Sequence, residues 1–309
     1  DFCLSRGLGD VYKRQGIDTD NSQEMETKMK IITDTGSDIL EIEAKAMGVD
    51  LVPISANFED VIFDRNTEEN FKAFYEKLRS EEQLPVSSQP SPAAFLEKYE
   101  AAEETGEEVL VILISSKLSG TYNGAVLAKE MCGYEKIYIV DSLQASLSLR
   151  LLVEYAVKLK EEGKSAEEIA GILEEVKNRT YLTGVPSTLL YLKKGGRISP
   201  VVAAVGNVMG IKPVLLLRNG EIEGYSKARG MKAAKSGMQA FLKKGEVDCC
   251  MPVEFAHSNN PEMGEEFRKE TMEAFSLTES SLHEVGMAIG THIGPDALLM
   301  AFILKESMK

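Results

Sequence analysis

Short apolar runs alternate with longer amphipathic stretches along most of this 309-residue chain. The run Val109–Ile114 is apolar at every position, too short for a helix and suited to a strand buried on both faces. It breaks at once into Ser115, Ser116, Ser119, Gly120 and Thr121, and Tyr122–Cys132 then has helical character. Lys30–Thr33, Val49–Ile54 and Lys136–Val140 predict further strands. Helices are predicted over Ile39–Met47, Thr67–Arg79, Ala93–Thr105, and from Asp141 and Ser142 to about Lys160. The clearest is Thr67–Arg79, where Phe71, Phe74, Tyr75 and Leu78 share one helix face. Such alternation predicts a parallel sheet wound on both sides. Three polar loops, Asp34–Asp38, Ser87–Ser91 and Ser115–Thr121, fall at strand ends or just before helices. Open α/β sheets bind ligands along that edge.

Past Gly163 the pattern changes. Ser165–Lys177 predicts a helix with Ser165 as its cap and Glu168 three residues on. Thr180–Gly184 reads as a strand, Ser187–Lys194 as a short helix, and Gly195, Gly196 and Arg197 as a turn. Ile211–Arg218 and Glu221–Ser226 form a hairpin through Asn219 and Gly220, the strongest short turn signal. Met231–Lys244 predicts a helix, Val247–Phe255 a strand, Asn260–Ala274 a helix, and Glu284–Ile289 a final strand running into a loop with His292. The expected fold class is therefore α/β. A doubly wound parallel-sheet domain spans 29–160, and a second, mixed-sheet α/β domain spans 161–309. Residues 1–28 keep no period of 2 or 3.6, and Leu4–Gln15 resembles translated sequencing-adapter sequence, so a non-native or disordered extension is expected there.

Composition narrows the class without choosing the chemistry. Hydrophobic content of 43% and charge of 27% are ordinary for a soluble globular protein. No apolar run approaches a membrane span, and no secretory leader is evident. Cys3, Cys132, Cys249 and Cys250 form neither a C-x-x-C pair nor a disulfide framework, which fits a cytoplasmic protein without structural zinc. The net charge of −14 argues against nucleic acid as a partner. Between Tyr191 and Lys244, however, eleven Lys and Arg meet only Glu221 and Glu223, so this window is +9 and the remainder −23. It is either a docking or phosphate-facing surface or a set of scattered solvated faces.

Several chemistries drop out. The chain has no G-x-x-x-x-G-K-[ST], and neither glycine-bearing loop is G-x-G-x-x-G, so ATP or NAD bound within it is not expected. His257, His283 and His292 lack the spacing of a metal site. A serine hydrolase would pair Ser119 with His292 and use Asp34, Asp141 or Asp296 as the orienter. Yet Ser119 lies in K-L-S-G-T, outside the G-x-S-x-G elbow. A buried strand feeding a Ser/Gly loop that opens a helix suits an oxyanion, either phosphate or carboxylate. The plainer alternative is a strand-to-helix turn with a hydroxyl cap.

Seven motifs occur in order: T-D-T-G-S-D, S-S-Q-P-S-P, I-S-S-K-L-S-G-T-Y-N-G-A, V-D-S, L-K-K-G-G-R-I-S, I-K-P-V-L-L-L-R-N-G and H-I-G-P-D. Together they resemble the DegV family of bacterial fatty-acid-binding proteins, over Met29 to Lys309. The resemblance implies two α/β domains enclosing a fatty acid as ligand, with no other cofactor. It implies that Ser87, Ser119 and His292 hold the carboxylate; a backbone donor from Gly120 or Thr121 is expected beside them. It also implies a partner, the ATP-binding subunit of a fatty acid kinase, with Arg197 and Arg229 near the pocket mouth and the kinase contact. Two departures stand out: Ser87 replaces a threonine, which keeps the donor, and Asp296 replaces the last glycine of G-P-G, which is expected to perturb that loop. The physics agrees with such a carrier. Each buried CH₂ contributes about 0.8 kcal/mol, and a long acyl chain on the order of 10 kcal/mol before binding costs. A buried carboxylate then needs charge-assisted hydrogen bonds worth about 1.5–3 kcal/mol each.

Overall fold

The computed structural model describes residues 28–198, 210–248 and 251–308. The extension predicted over 1–28, apart from Lys28, lies outside the described residues, as do Cys3, Cys249 and Cys250. The first half opens with strand β1 (Met29–Asp34), helix α1 (Glu41–Met47) and strand β2 (Val49–Val52). A small excursion follows: β3 (Ser55–Asn57), β4 (Ile62–Phe63), α2 (Glu68–Ser80) and β5 (Val86–Ser88). Then come α3 (Pro92–Thr105), β6 (Glu108–Leu113), α4 (Thr121–Cys132), β7 (Ile137–Asp141), α5 (Leu147–Glu161) and α6 (Ala166–Val176). Strands β2-β1-β6-β7 form one parallel sheet. Phe95 and Tyr99 of α3 and Ala125 and Ala128 of α4 bury one face, against Val109, Val111 and Leu113. Leu149 and Leu152 of α5, with Ile169 and Leu173 of α6, bury the other, against Leu110, Ile112 and Val140. This is the doubly wound sheet that the alternation predicts.

The second half adds β8 (Thr180–Val185), α7 (Leu190–Lys194), β9 (Ile211–Arg218), β10 (Glu221–Arg229) and α8 (Gly230–Gln239). It ends with β11 (Val253–His257), α9 (Pro261–Phe275), β12 (Ser280–Glu284), α10 (Met287–Ile293) and β13 (Leu298–Ile303). Their sheet is mixed, ordered β10-β9-β8-β13-β11-β12, with β11 and β12 parallel and the other pairs antiparallel. Tyr181, Val214, Leu216, Met300 and Phe302 face a core closed by α8 and α9. Leu182, Leu217, Leu299 and Ala301 face the other way, onto the core that contains α5. Helix α5 thus lies between the two sheets, which is why Leu147, Leu149, Leu151, Leu152 and Val153 are all buried in its first two turns. Among the described residues no helix is long and apolar enough to cross a membrane.

Five expectations need correction. The unit built on the parallel sheet runs through Val176 rather than ending at Lys160, because Ile169, Leu173 and Val176 bury against that sheet. Asp141 and Ser142 do not open α5; Asp141 ends β7 and accepts from Ser116 N and Leu143 N, Ser142 lies in the loop that follows, and the helix starts at Leu147. The predicted strand Glu284–Ile289 is the end of β12 followed by helix α10, so His292 sits in a last helical turn. The unassigned Leu298–Ile303 is β13, buried at every position and paired with both β8 and β11. The hydroxyl-rich loop after Leu84 likewise contains a strand, since β5 pairs with β3 in a three-stranded antiparallel sheet, β4-β3-β5.

Candidate functional site

Strand periodicity sets up the site. In β5 Ser87 lies opposite Ala56 and is half-buried, while Val86 and Ser88 are exposed. From that position Ser87 Oγ meets His292 Nε2 at 2.8 Å. His292 reaches it from α10, whose start is held from the first half of the chain. Gly286 N donates to Asp38 Oδ1 at 2.9 Å, and the Tyr75 hydroxyl donates to Val285 O at 2.8 Å. Helix α10 has no side-chain cap of its own, so Asp38 serves as one from across the interface. Asp38 is fully buried in a left-handed turn (φ 58°) and also accepts from the Ser146 hydroxyl. Burial pushes both Asp34 and Asp38 up to about 7, against the hydrogen bonds they accept.

Between the sheets lies a cavity of about 400 Å³. Its walls are apolar: Ile54, Ile114 and Leu118 on one side, Leu182, Leu215, Leu217 and Leu299 of the mixed sheet on the other, and Ala288, Ile289 and Ile293 of α10. Ser87, Ser119, Gly120, Arg197 and His292 all line it, so the structure brings these predicted residues to one cavity. Ser119 Oγ pairs with Thr121 Oγ1 at 2.8 Å. Thr121 is itself buried and its backbone N–H turns back to Ser119 Oγ, so it supports the serine from behind. Arg229 is exposed at the end of β10 and lines none of the described cavities. A second cavity of about 320 Å³ adjoins the first, and the two share Ser87, Arg197 and His292. Lys194, Tyr191 and Thr291 line this outer vestibule.

Two glycines are set by close approach. A Cβ on Gly195 would lie 2.2 Å from His292 Nδ1, and one on Gly120 would lie 2.0 Å from Gln89 Oε1. The imidazole and the Gln89 amide therefore rest directly on backbone. Gln89, Ser88 and Ser146 line the inner cavity and were missed as site residues; the S-S-Q-P-S loop was the available signal for the first two. Burial, reinforced by the nearby Arg197 charge, pushes His292 down to about 4, so its ring is neutral at pH 7.

The carboxylates of a hydrolase are engaged elsewhere. Asp34 accepts from Gly36 N and Ile114 N, and Asp296 accepts both Arg79 nitrogens at 3.0 and 3.1 Å and Asn260 Nδ2 at 2.9 Å. His292 Nδ1 is buried without a hydrogen-bond partner among the described residues. Asp296 itself keeps the left-handed conformation (φ 60°) that glycine favours, and Arg79 holds its carboxyl below the usual range. The loop after His292 is thus clamped to α2. The basic window is dispersed: Lys235 pairs with Glu266 and Glu270, while Lys243 and Lys244 lie over aromatic rings. Among the described residues no group of three or more His, Cys, Asp or Glu could hold a metal ion.

A doubly wound sheet and a mixed sheet sharing an apolar cavity, closed at one edge by hydroxyls and an imidazole, define a two-unit α/β protein with an internal binding cavity. The chain belongs to the DegV family: the family model described as an uncharacterised protein, DegV family, matches residues 28–305. A protein of Thermotoga maritima named fatty acid-binding protein is 32% identical over 277 residues, covering 87% of this chain and 95% of that one. A fatty-acid-binding DegV family protein from Thermus thermophilus has a similar structure, with TM-score 0.80, 30% identity, and coverage of 90% of this chain and 100% of that one. The structure of a DegV lipid binding protein from Thermotoga maritima matches with TM-score 0.80 and 29% identity, covering 91% and 99% of the two chains.

Proposed function

We propose that this chain binds one long-chain fatty acid in the inner cavity and presents its carboxylate to a separate, ATP-binding kinase subunit for acyl-phosphate formation. The observation that carries the binding role is the distribution of polarity: mostly apolar walls, with Ser87, His292 and Arg197 at the edge shared with the vestibule and Ser119 lining the same cavity. Three donors from three separate segments, β5, the loop before α4 and the last turn of α10, match what a buried carboxylate needs. Relatives named for fatty acid binding support the same ligand. A hydrolytic role is disfavoured because His292 pairs with Ser87 rather than Ser119 and has no carboxylate behind it. The kinase role draws support from the resemblance and from Arg197 and Lys194 in the vestibule, where a phosphoryl group would add negative charge.

Solvent extraction of the purified protein followed by mass spectrometry should yield a stoichiometric free fatty acid. Ser119→Ala and His292→Ala should each weaken binding roughly ten- to a hundredfold in a displacement assay, the loss of one charge-assisted hydrogen bond. Wild-type affinity in both variants would refute the head-group assignment. Ester turnover abolished by Ser119→Ala would instead point to the hydrolase. For the kinase role, Arg197→Ala with Arg229→Ala should slow acyl-phosphate formation in a reconstituted system, and Arg229→Ala alone, which lines none of the described cavities, should leave fatty-acid affinity within about twofold. Added salt should slow the wild type in the same way, since screening acts over about 8 Å near physiological ionic strength. Equal phosphorylation rates for wild type and the double variant would reduce both arginines to solvated surface.

A further inference from the structure

The inner cavity has a second boundary, away from the vestibule. A third cavity of about 310 Å³ lies beside Gln144, Lys177 and the β9–β10 turn. The vestibule and this third cavity have no lining residue in common, and the inner cavity touches both. Toward the vestibule it shares three residues, all polar: Ser87, Arg197 and His292. Toward the third cavity it shares one described residue, Leu217. Leu217 is 3% exposed, sits on β9, and lies in register with Leu182 and Ile222, both of which also line the inner cavity. Beyond it the chemistry changes, because Gln144, Lys177, Arg218 and Asn219 line the far side.

We infer that Leu217 is the tail stop of the acyl cavity and sets the longest chain this protein holds well. The inference rests on the inner cavity being the fatty-acid site. A chain anchored at Ser87 and His292 runs away from the vestibule, and the far boundary it meets is this one isobutyl group. Each methylene enclosed before that point strengthens binding by about fourfold. A methylene beyond it must displace Leu217 or lie against polar groups that it cannot satisfy, so the gain ends there. Affinity plotted against chain length should therefore climb and then break. Leu217→Ala vacates the volume of the isobutyl group, which extra methylenes then fill, moving the break to longer chains. Leu217→Phe fills the end and moves it to shorter ones.

The test is a displacement series of saturated acids from about ten to about twenty-two carbons on wild type, Leu217→Ala, Leu217→Val and Leu217→Phe, with a thermal melt of each. The expected result is a break that shifts by about two to four carbons toward longer chains in Leu217→Ala, by about one in Leu217→Val, and toward shorter chains in Leu217→Phe. If Leu217→Ala does not melt cooperatively, the Val and Phe variants, shifting in opposite directions, carry the same test. A break at one common length in all folded variants overturns the stop while leaving fatty-acid binding intact. Failure of the wild type to bind any acid of the series overturns the binding reading, and the stop with it.

Discussion

His292 holds its place through backbone and one hydroxyl rather than through a carboxylate, and this fixes how it responds to protons. Burial and the Arg197 charge hold it down to about 4. An unfolded histidine titrates near 6.5. Its folded value is depressed, so its contribution to stability is full above about 6.5 and is lost as pH falls from there toward 4. A bound carboxylate reverses the local field and favours the imidazolium. Fatty-acid binding near pH 5.5 should therefore take up protons, and affinity should rise as pH falls from 7 toward 5. Calorimetry in two buffers of different ionisation enthalpy measures the uptake, and His292→Gln should abolish it. Identical apparent enthalpies for the wild type in both buffers would refute the linkage. At this scale the sequence was informative about chemical type: hydroxyls and an imidazole could be picked out because such residues have little packing to offer. It was uninformative about partners. Asp296 was expected to disturb its loop, and nothing in the sequence shows that Arg79, more than two hundred positions away, accepts its charge.

Helix α10 shows where element-level reading fails. Met287–Ile293 is seven residues long, too short to display a 3.6-residue period, and its apolar start extends the β pattern of β12. What makes it a helix is tertiary: Gly286 allows close packing against Phe71, and Asp38 supplies the missing cap. β13 was missed for another reason: with both faces buried no alternation remains, and its Leu, Met and Ala favour helices where Val109–Ile114 has β-branched residues. By contrast, α2 and the capping box of Ser165 and Glu168 could be read directly, because one solvated face or one local hydrogen-bond pair defines them. The cap by Asp38 leads to a stability prediction. Its folded pKa is raised to about 7, so the stability it contributes is full below about 3.8 and is lost as pH rises through 7. Asp38→Asn tolerates the left-handed turn, keeps an acceptor for Gly286 N and removes the charge, so urea melts should show a smaller loss of stability from pH 5 to 8. Asp38→Ala should cost about 1–3 kcal/mol through the unpaired N–H. An unchanged pH profile in Asp38→Asn would refute this account.

At the scale of the whole molecule, two sheets, two main cores and one shared helix were partly foreseeable. Alternating strands and helices gave the parallel sheet, and the Asn219–Gly220 hairpin gave part of the mixed one. The position of the first unit's edge was not foreseeable, because α6 looks like any amphipathic helix until the sheet it covers is known. The joint between the halves was equally hidden, since it is built from contacts such as Tyr75 with Val285 and Arg79 with Asp296, each across about two hundred residues of sequence. That joint has a kinetic meaning. The inner cavity has one wall from each half, so the ligand is walled in by a seam rather than lying under a separate lid. Arg79 and Asp296 are both partly exposed, at 41% and 37%, and such a pair is worth only about 0–1 kcal/mol, so it barely alters how stable the fold is. It nevertheless sits beside the loop that follows His292, on the seam itself. On the proposed binding role, Arg79→Ala should therefore shorten the residence time of a bound fatty acid in a displacement time course while leaving every group proposed to grip the ligand in place.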